Sequence, residues 1–216
     1  RTLARALLRT LRDKVAAVYS ASLAALRARV AAAAGACPPR ELQAAVGELL
    51  PALAEKAADL NQRTREQATE ALVALAGVPQ AGLRACTAPL LRAPKPGAAW
   101  KVVLGRLQLV AALLPVLGAA PDGSGEGFPL GPLMAFVGPA LGNSSAEVRA
   151  AAIALTVQIA QAVGPSVQRM LPADLNPKVK EQIEQGMLAG AGVPPSAPWA
   201  PGCCACYWTA PVSPGC

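Results

Sequence analysis

Histidine is absent from this 216-residue sequence, and aromatic residues are few, with two Phe, two Tyr and three Trp. Without an imidazole the chain cannot form a Ser-His-Asp triad or a histidine zinc site. The scarcity of aromatic and β-branched residues argues against a β-sandwich, whose strands depend on such side chains. Alanine is abundant instead, with 49 residues against 33 charged ones. Alanine and leucine with scattered arginine and glutamate are strong helix formers, so the composition predicts an all-α fold.

Positive charge is unevenly distributed along the chain, which has a net charge of +7. Residues 1–29 contain seven Lys or Arg and a single acid, Asp13. Such an end could face nucleic acid, a membrane surface or an acidic protein, although a run of charge is more often a solvated face. Aromatic residues between the basic ones, on which bases would stack, are missing. We therefore expect an acidic protein surface as partner rather than nucleic acid.

Two uncharged stretches, residues 127–146 and 150–168, are long enough to be considered as membrane spans. The first contains three Pro and four Gly, and the second contains three Gln and Pro165. These breakers and polar residues predict buried amphipathic helices, and no membrane partner is expected.

Apolar residues recur at helical spacing along most of the chain, beginning with Leu3, Leu7 and Leu11. Glycine and proline, as at Gly35 and Pro165, separate the helical segments. After a first helix around residues 3–11, the predicted helices cover about residues 14–34, 40–58, 63–76, 80–92, 99–117, 130–141, 146–163, 166–171 and 178–188. Residues 118–127 are predicted to form a mobile loop.

Polar turns recur at similar intervals, each between the two helices of a pair. Aligning Val15, Thr64, Val102 and Val148 gives offsets of 49, 38 and 46 residues, which suit HEAT or armadillo repeats. Each pair has one face that only the next pair can cover. The sequence therefore predicts an all-α HEAT-repeat solenoid of antiparallel helix pairs over residues 1–190. An ordinary helical bundle with coincidental spacing is the alternative.

Residues 191–216 have a different composition, with no charged residue and four of the six cysteines. Cys203, Cys204 and Cys206 lack the paired Cys-x-x-Cys spacing of a zinc site. We expect this Pro/Gly/Cys-rich segment to be a disordered tail without metal. Cys37 and Cys86 are predicted to be small buried apolar residues.

No combination of residues points to catalysis. A P-loop is absent, and the glycine-rich run at 123–127 matches neither a dinucleotide-binding nor a nucleophile-elbow pattern. Pairs of carboxylates such as Glu41 and Glu48 fit solvated helix surfaces better than a catalytic acid and base. We therefore expect a non-catalytic protein that has no cofactor.

The turns within helix pairs form the candidate interaction site, because such turns in a solenoid emerge on one edge. Their basic and polar balance suits an acidic protein surface. Arg65 and Arg149 are expected to bond carbonyls or acids of the neighbouring repeat, and asparagines in the turns could serve only as helix caps. Trp100 fits either an interface anchor or the core. The candidate contact residues are Arg12, Asp13, Lys14, Asn61, Gln62, Arg63, Lys95, Trp100, Lys101, Asn143, Ser144 and Ser145.

Several stretches occur in the order and spacing of a known family. They are Leu-Arg-Asp-Lys-Val at 11–15, Gly-Phe-Pro-Leu at 127–130, Glu-Val-Arg at 147–149 and Met-Leu-Pro-Ala-Asp at 170–174, followed by the basic residues Lys178 and Lys180. Together they resemble the TOG domains, which are tubulin-binding HEAT arrays. The similarity is closest to the TOG domains of the 104-kilodalton centrosomal proteins of ciliary tips, and it covers about residues 1–190.

The resemblance implies a domain that binds αβ-tubulin through its intra-repeat loops and acts at microtubule plus ends of cilia and centrioles. It assigns the same twelve loop residues to tubulin. It also implies a cytoplasmic, cytoskeletal location at the centrosome or centriole and cilium tip, with other ciliary-tip or centriolar proteins as further candidate partners. The family's first repeat, whose loop carries a tubulin-contacting Trp, would lie before Arg1. The alternative function is a HEAT or armadillo scaffold that binds another partner through its concave face.

Overall fold

The computed structural model describes residues 2–13, 15–95, 97–120 and 126–189, so that Lys14 and the predicted tail lie outside the described residues. Helices dominate the described part of the chain. They are Thr2–Leu11 (α1), Ala16–Ala36 (α2), Pro39–Lys56 (α3), Gln62–Ala76 (α4), Trp100–Leu117 (α5), Leu130–Leu141 (α6), Ala146–Val163 (α7) and Pro177–Ala189 (α8). Three short 3-10 helices accompany them, at Pro79–Ala81, Leu83–Ala85 and Pro165–Met170.

The helices form two layers. The first helices of the pairs pack on one another in one layer, and the second helices pack on one another in the other. One layer runs α2, α4, α5, α7 and α8, each helix contacting the next. The other begins with α1 on α3, continues with Pro79–Ala81 against α3, and includes α6 against Pro165–Met170. Each pair therefore places one helix in each layer, which is the stacking that a HEAT solenoid requires.

The core between the layers is built from leucine, valine and alanine, because the chain has few larger apolar residues. In α1, Leu7 and Leu11 are buried while Arg5 and Arg9 are exposed, which is the amphipathic pattern predicted from the sequence. Phe128, two residues before α6, is fully buried. Alanines inside α3, α4 and α7 allow neighbouring helices to approach closely.

The predicted helix over residues 80–92 is wrong. Two 3-10 helices meet there at Gly82, whose φ of 68° is left-handed and ends a helical run. A Cβ at this position would lie 2.7 Å from Cγ of Gln43, so the turn is also tightly packed. Thr87 then donates a buried hydrogen bond of 3.1 Å to the carbonyl of Gly127. This contact ties the segment to α6 instead of extending it as a helix.

Smaller differences concern loops and cysteines. The ends of the predicted mobile loop pair as two short parallel strands, Ala119–Ala120 (β1) and Phe128–Pro129 (β2), while residues 121–125 lie outside the described residues. The short helix predicted at residues 166–171 is present as a 3-10 helix at Pro165–Met170. Cys86 is exposed and Cys37 is half-buried, so the prediction that both are buried is wrong.

Two helices, α5 and α7, are long and apolar enough to cross a membrane by length and composition alone. Both lie in the middle of the array, where α5 packs on α4 and α7, and α7 also packs on α6 and α8. A core helix passes the same test, and these packing partners explain their apolar composition.

Arg106 in α5 is a charged side chain in the core, only 8% exposed. Its Nη1 is buried without a hydrogen-bond partner in the described part of the chain. Burial lowers the pKa of this guanidinium, with Glu55 opposing the shift and Arg92 adding to it. An unpaired buried charge opposes folding, so Arg106 is a cost that the surrounding core must offset.

Gly105 in α5 allows close contact with the turn that follows α3. A Cβ there would lie 2.7 Å from the carbonyl oxygen of Ala57 and 2.7 Å from Cδ of Arg65. By contrast, a Cβ at Gly47 in α3 would have no atom within 4 Å. The two helical glycines can therefore be compared directly. Packing requires glycine at Gly105, whereas there is space for a side chain at Gly47.

We expect Gly105→Ala to lower the free energy of unfolding by about 1–3 kcal/mol, because overpacking outweighs the better helix propensity of alanine. Gly47→Ala should raise it by about 0.5–1 kcal/mol, since only the backbone entropy of the unfolded chain changes. Urea unfolding followed by circular dichroism measures both. Equal stabilisation by the two substitutions would contradict the close contact.

Candidate functional site

The turns that precede α2, α4, α5 and α7 lie on one edge of the solenoid. These four helices pack on one another in order, so their amino-terminal ends, and the turns that precede them, are neighbours. We define the loop edge as residues 12–15, 57–63, 92–101 and 142–145. Lys14 and Pro96 within it lie outside the described residues.

The turn between α3 and α4 is held by side chains. Asp59 Oδ1 accepts a hydrogen bond from the backbone N–H of Asn61 at 2.9 Å. Asn61 Oδ1 caps α4 by accepting from the N–H groups of Arg63 at 2.9 Å and Thr64 at 3.4 Å. Arg65 Nη1 donates to the carbonyls of Asp59 at 3.0 Å and Leu60 at 3.1 Å. The cap and the guanidinium together fix the turn from both sides.

The turn between α6 and α7 repeats this arrangement. Asn143 Oδ1 accepts from the N–H of Ser145 at 3.0 Å, as Asp59 does from Asn61. Arg149 Nη1 donates to the carbonyls of Asn143 at 2.7 Å and Ser144 at 2.9 Å. The predicted bonding of Arg65 and Arg149 to carbonyls is therefore correct, but the carbonyls belong to their own turns rather than to the neighbouring repeat.

The turn between α1 and α2 begins with the same kind of side-chain hydrogen bond, but a different side chain packs next to it. Asp13 Oδ1 accepts from the N–H of Val15 at 2.8 Å. Tyr19 occupies the place of the turn-holding arginine, with its ring 5.1 Å from Lys56 Nζ and its hydroxyl 3.5 Å from the carbonyl oxygen of Thr64. Burial, the larger cause, and the nearby Asp59 raise the pKa of Tyr19 to about 12, so the phenol stays neutral.

These equivalent turns give the true register of the repeat. The N-cap residues Val15, Asn61, Ala99 and Ser145 are separated by 46, 38 and 46 residues. The predicted offsets of 38 and 46 are reproduced, whereas the first predicted offset of 49 is three residues too long. Val15 corresponds to Asn61 and not to Thr64.

The predicted contact residues divide into two groups according to what their side chains do. Asp13, Asn61 and Asn143 shape the turns through the hydrogen bonds described above. Ser145 donates to Glu147 Oε2 at 2.7 Å, and this hydrogen bond is the main reason that the pKa of the Glu147 carboxyl is lowered. Gln62 is exposed and donates to Glu66 Oε1 at 2.8 Å. The exposed residues that face outward without a described side-chain hydrogen bond are Arg12, Arg63, Lys95, Lys101 and Ser144.

Apolar side chains accompany the basic ones on the loop edge. Trp100 is 40% exposed, with Lys101 Nζ 5.7 Å from its ring centroid, so it lies at the surface and not in the core. Val15 and Leu60 are 56% and 60% exposed and were missed in the sequence. Val15 is the N-cap residue of α2, and Leu60 directly precedes Asn61, the N-cap of α4. Their positions in the turns are the signal that could have identified them. Three exposed apolar residues at neighbouring turns are suited to protein contact.

A fifth turn, before α8, was not included among the candidate contact turns. Asn176 Oδ1 accepts from the N–H of Lys178 at 2.9 Å, and α8 packs on α7 as the other helices of its layer pack on one another. Among the described residues, no group of three or more His, Cys, Asp or Glu could hold a metal ion.

We expect Arg65→Met and Arg149→Met each to lower the free energy of unfolding by about 1.5–3 kcal/mol, because each removes two charge-assisted hydrogen bonds to turn carbonyls. The losses should add, since the two turns share no partner. Arg63→Met, at an exposed side chain without such bonds, should change stability by less than about 0.5 kcal/mol. Urea unfolding is the measurement, and three equally stable variants would show that the guanidiniums do not hold the turns.

Comparison with known proteins identifies the architecture. A family model described as the TOG domain of centrosomal protein CEP104 matches residues 2–155. Among solved structures, the chain is similar to the TOG domain of human Cep104, with a TM-score of 0.69 and 21% identity over 88% of this chain and 74% of that one. A TOG domain of Zyg9 from C. elegans has a TM-score of 0.63 and 19% identity over 87% of this chain and 66% of that one.

A third similar structure is from crescerin, described as using a TOG domain array to regulate microtubules in the primary cilium. It has a TM-score of 0.62 and 19% identity over 87% of this chain and 73% of that one. No curated protein matches the sequence. The predicted all-α HEAT-repeat solenoid is confirmed by these TOG folds. By the match of its family model, this chain belongs to the CEP104 TOG-domain family.

Proposed function

We propose that this chain is a non-catalytic domain that binds αβ-tubulin through its loop edge. The observation that carries the proposal is a row of neighbouring turns that present exposed basic and apolar side chains on a TOG fold. The proposed contact residues are Arg12, Asp13, Lys14, Asn61, Gln62, Arg63, Lys95, Trp100, Lys101, Asn143, Ser144 and Ser145, and we add Val15 and Leu60.

Rigid turns make the loop edge suitable for binding a folded surface. Asn61 and Arg65 fix one turn, and Asn143 and Arg149 fix another, through hydrogen bonds that need no partner. A turn that is already ordered loses little conformational entropy when it binds. We therefore expect the turns to have the same conformation in the free domain and in the complex.

Two kinds of side chain would contribute differently to the complex. Trp100 offers a large amphipathic anchor, and Val15 and Leu60 add smaller apolar contacts. Arg63 and Lys101 are exposed cations on adjacent turns and would speed association with an acidic surface. Removal of their charge should therefore act on association, and removal of Trp100 on dissociation.

We further propose that the domain acts at microtubule plus ends of cilia and centrioles, in the cytoskeleton of the cytoplasm at the centrosome and cilium tip. The description of the matching family as centrosomal supports this location. The crescerin structure, described as regulating microtubules in the primary cilium, supports the ciliary part. Other ciliary-tip or centriolar proteins are further proposed partners.

Co-elution with αβ-tubulin on a sizing column tests tubulin binding. The full chain should shift the tubulin peak at low salt, and Arg63→Glu with Lys101→Glu should remove the shift, because the reversed charges repel an acidic surface. Arg29→Glu with Arg40→Glu, an exposed pair outside the loop edge with the same change in charge, should leave it in place.

Two outcomes would contradict the proposal. Absence of a shift from a chain that circular dichroism shows to be helical would mean that the described repeats do not bind tubulin. An equal loss of binding in both double variants would mean that net charge, and not the loop edge, causes the association.

A further inference from the structure

Three exposed arginines, Arg5 and Arg9 in α1 and Arg12 in the turn directly after it, form a row that we define as the α1 stripe. Arg5 and Arg9 lie about 40° apart around the helix, and the N–H of Arg12 donates to the carbonyl of Arg9 at 3.3 Å. Leu7 and Leu11 on the opposite side are buried, and α1 packs on α3, so the stripe is fixed facing outward.

No acid in the described part of the chain forms an ion pair with the α1 stripe. The described ion pair joins Arg27 to Glu70 at 3.2 Å, on α2 and α4. Asp13, the acid nearest in sequence, accepts a hydrogen bond from the N–H of Val15. Arg65, Arg84 and Arg149 donate to backbone carbonyls, whereas the arginines of the stripe have no described side-chain hydrogen bond.

Repulsion among the arginines of the stripe slightly lowers the stability of the free domain. Like charges four or three residues apart on a helix repel each other by about 0.2–0.5 kcal/mol per pair. The carboxyl end of a helix attracts cations, which favours Arg9 in the last turn of α1. Arg5 is in the first turn, where the helix dipole opposes a positive charge. Folding of α1 therefore does not account for the whole stripe.

We propose that the α1 stripe binds an extended acidic segment of a protein partner. Arg5 and Arg9 are about 6 Å apart along the helix axis, close to the roughly 6.6–6.8 Å between alternate residues of an extended chain. Carboxylates at alternate positions would each meet one guanidinium in a planar, charge-assisted pair.

A polypeptide fits the stripe better than nucleic acid does. Single-stranded nucleic acid is usually held by aromatic side chains that stack on its bases, and α1 carries none. The site is distinct from the loop edge except at Arg12, and it does not depend on tubulin binding. Variants at Arg5 and Arg9 leave every loop-edge residue unchanged.

Fluorescence anisotropy of a labelled 16-residue peptide that alternates Glu and Ser tests the proposal on the full chain. The wild-type chain should bind it, and Arg5→Glu with Arg9→Glu should weaken binding by about tenfold or more, because two pairs become repulsions. Arg169→Glu with Lys180→Glu changes the net charge equally at exposed positions on other elements. That control should weaken binding by less than about threefold, through long-range charge alone.

Three results would overturn the proposal. They are no peptide binding by the wild-type chain, an equal loss in the two double variants, and equally tight binding of a 16-base-pair DNA duplex or of phosphatidylserine vesicles that is lost on the same stripe substitutions. Circular dichroism of each variant separates loss of binding from loss of fold.

Discussion

Stacking of alanine- and leucine-faced helix pairs is the interaction on which the other features of this chain depend. Leu50, Leu72 and Leu113 are fully buried between pairs, and alanines in α3, α4 and α7 keep the helices close. Because the second helices of successive pairs pack on one another, the turns that precede them are brought to one edge. The basic and apolar residues of the loop edge form a surface only because the core holds their helices in order.

Hydrogen bonds from nearby side chains set the conformation of the turns. Two turns use an Asx hydrogen bond and an arginine that donates to two carbonyls, and the first uses Asp13 with Tyr19 in place of the arginine. Gly105 in α5 gives the backbone after α3 the space it needs next to Arg65. In the turn before α4, Asn61 and Arg65 make these hydrogen bonds while Arg63 stays exposed beside them, so different side chains of one turn are available to shape it and to contact a partner.

Much of the fold could be predicted because helix periodicity and breakers are local. The bounds of α6 and α7 agree with those expected, and the paired-helix spacing indicated the solenoid. Residues 80–92 could not be predicted, since their 3-10 conformation depends on Gln43 packing at Gly82 and on Thr87 bonding Gly127, both distant in sequence. At the candidate site, polar residue types indicated most of the turn residues. Val15 and Leu60 are apolar, and their exposure could be recognised only from the register that the structure supplies.

Hydrogen–deuterium exchange of the full chain with and without αβ-tubulin is the most direct test of binding through the loop edge, because it locates the contact as well as detecting it. We expect added protection at residues 57–63, 92–101 and 142–145, while the helix surfaces away from the loop edge exchange as before. Protection along the exposed faces of α2, α4 and α5, with the loop edge unchanged, would contradict loop-edge binding and would favour contact through a helix face instead.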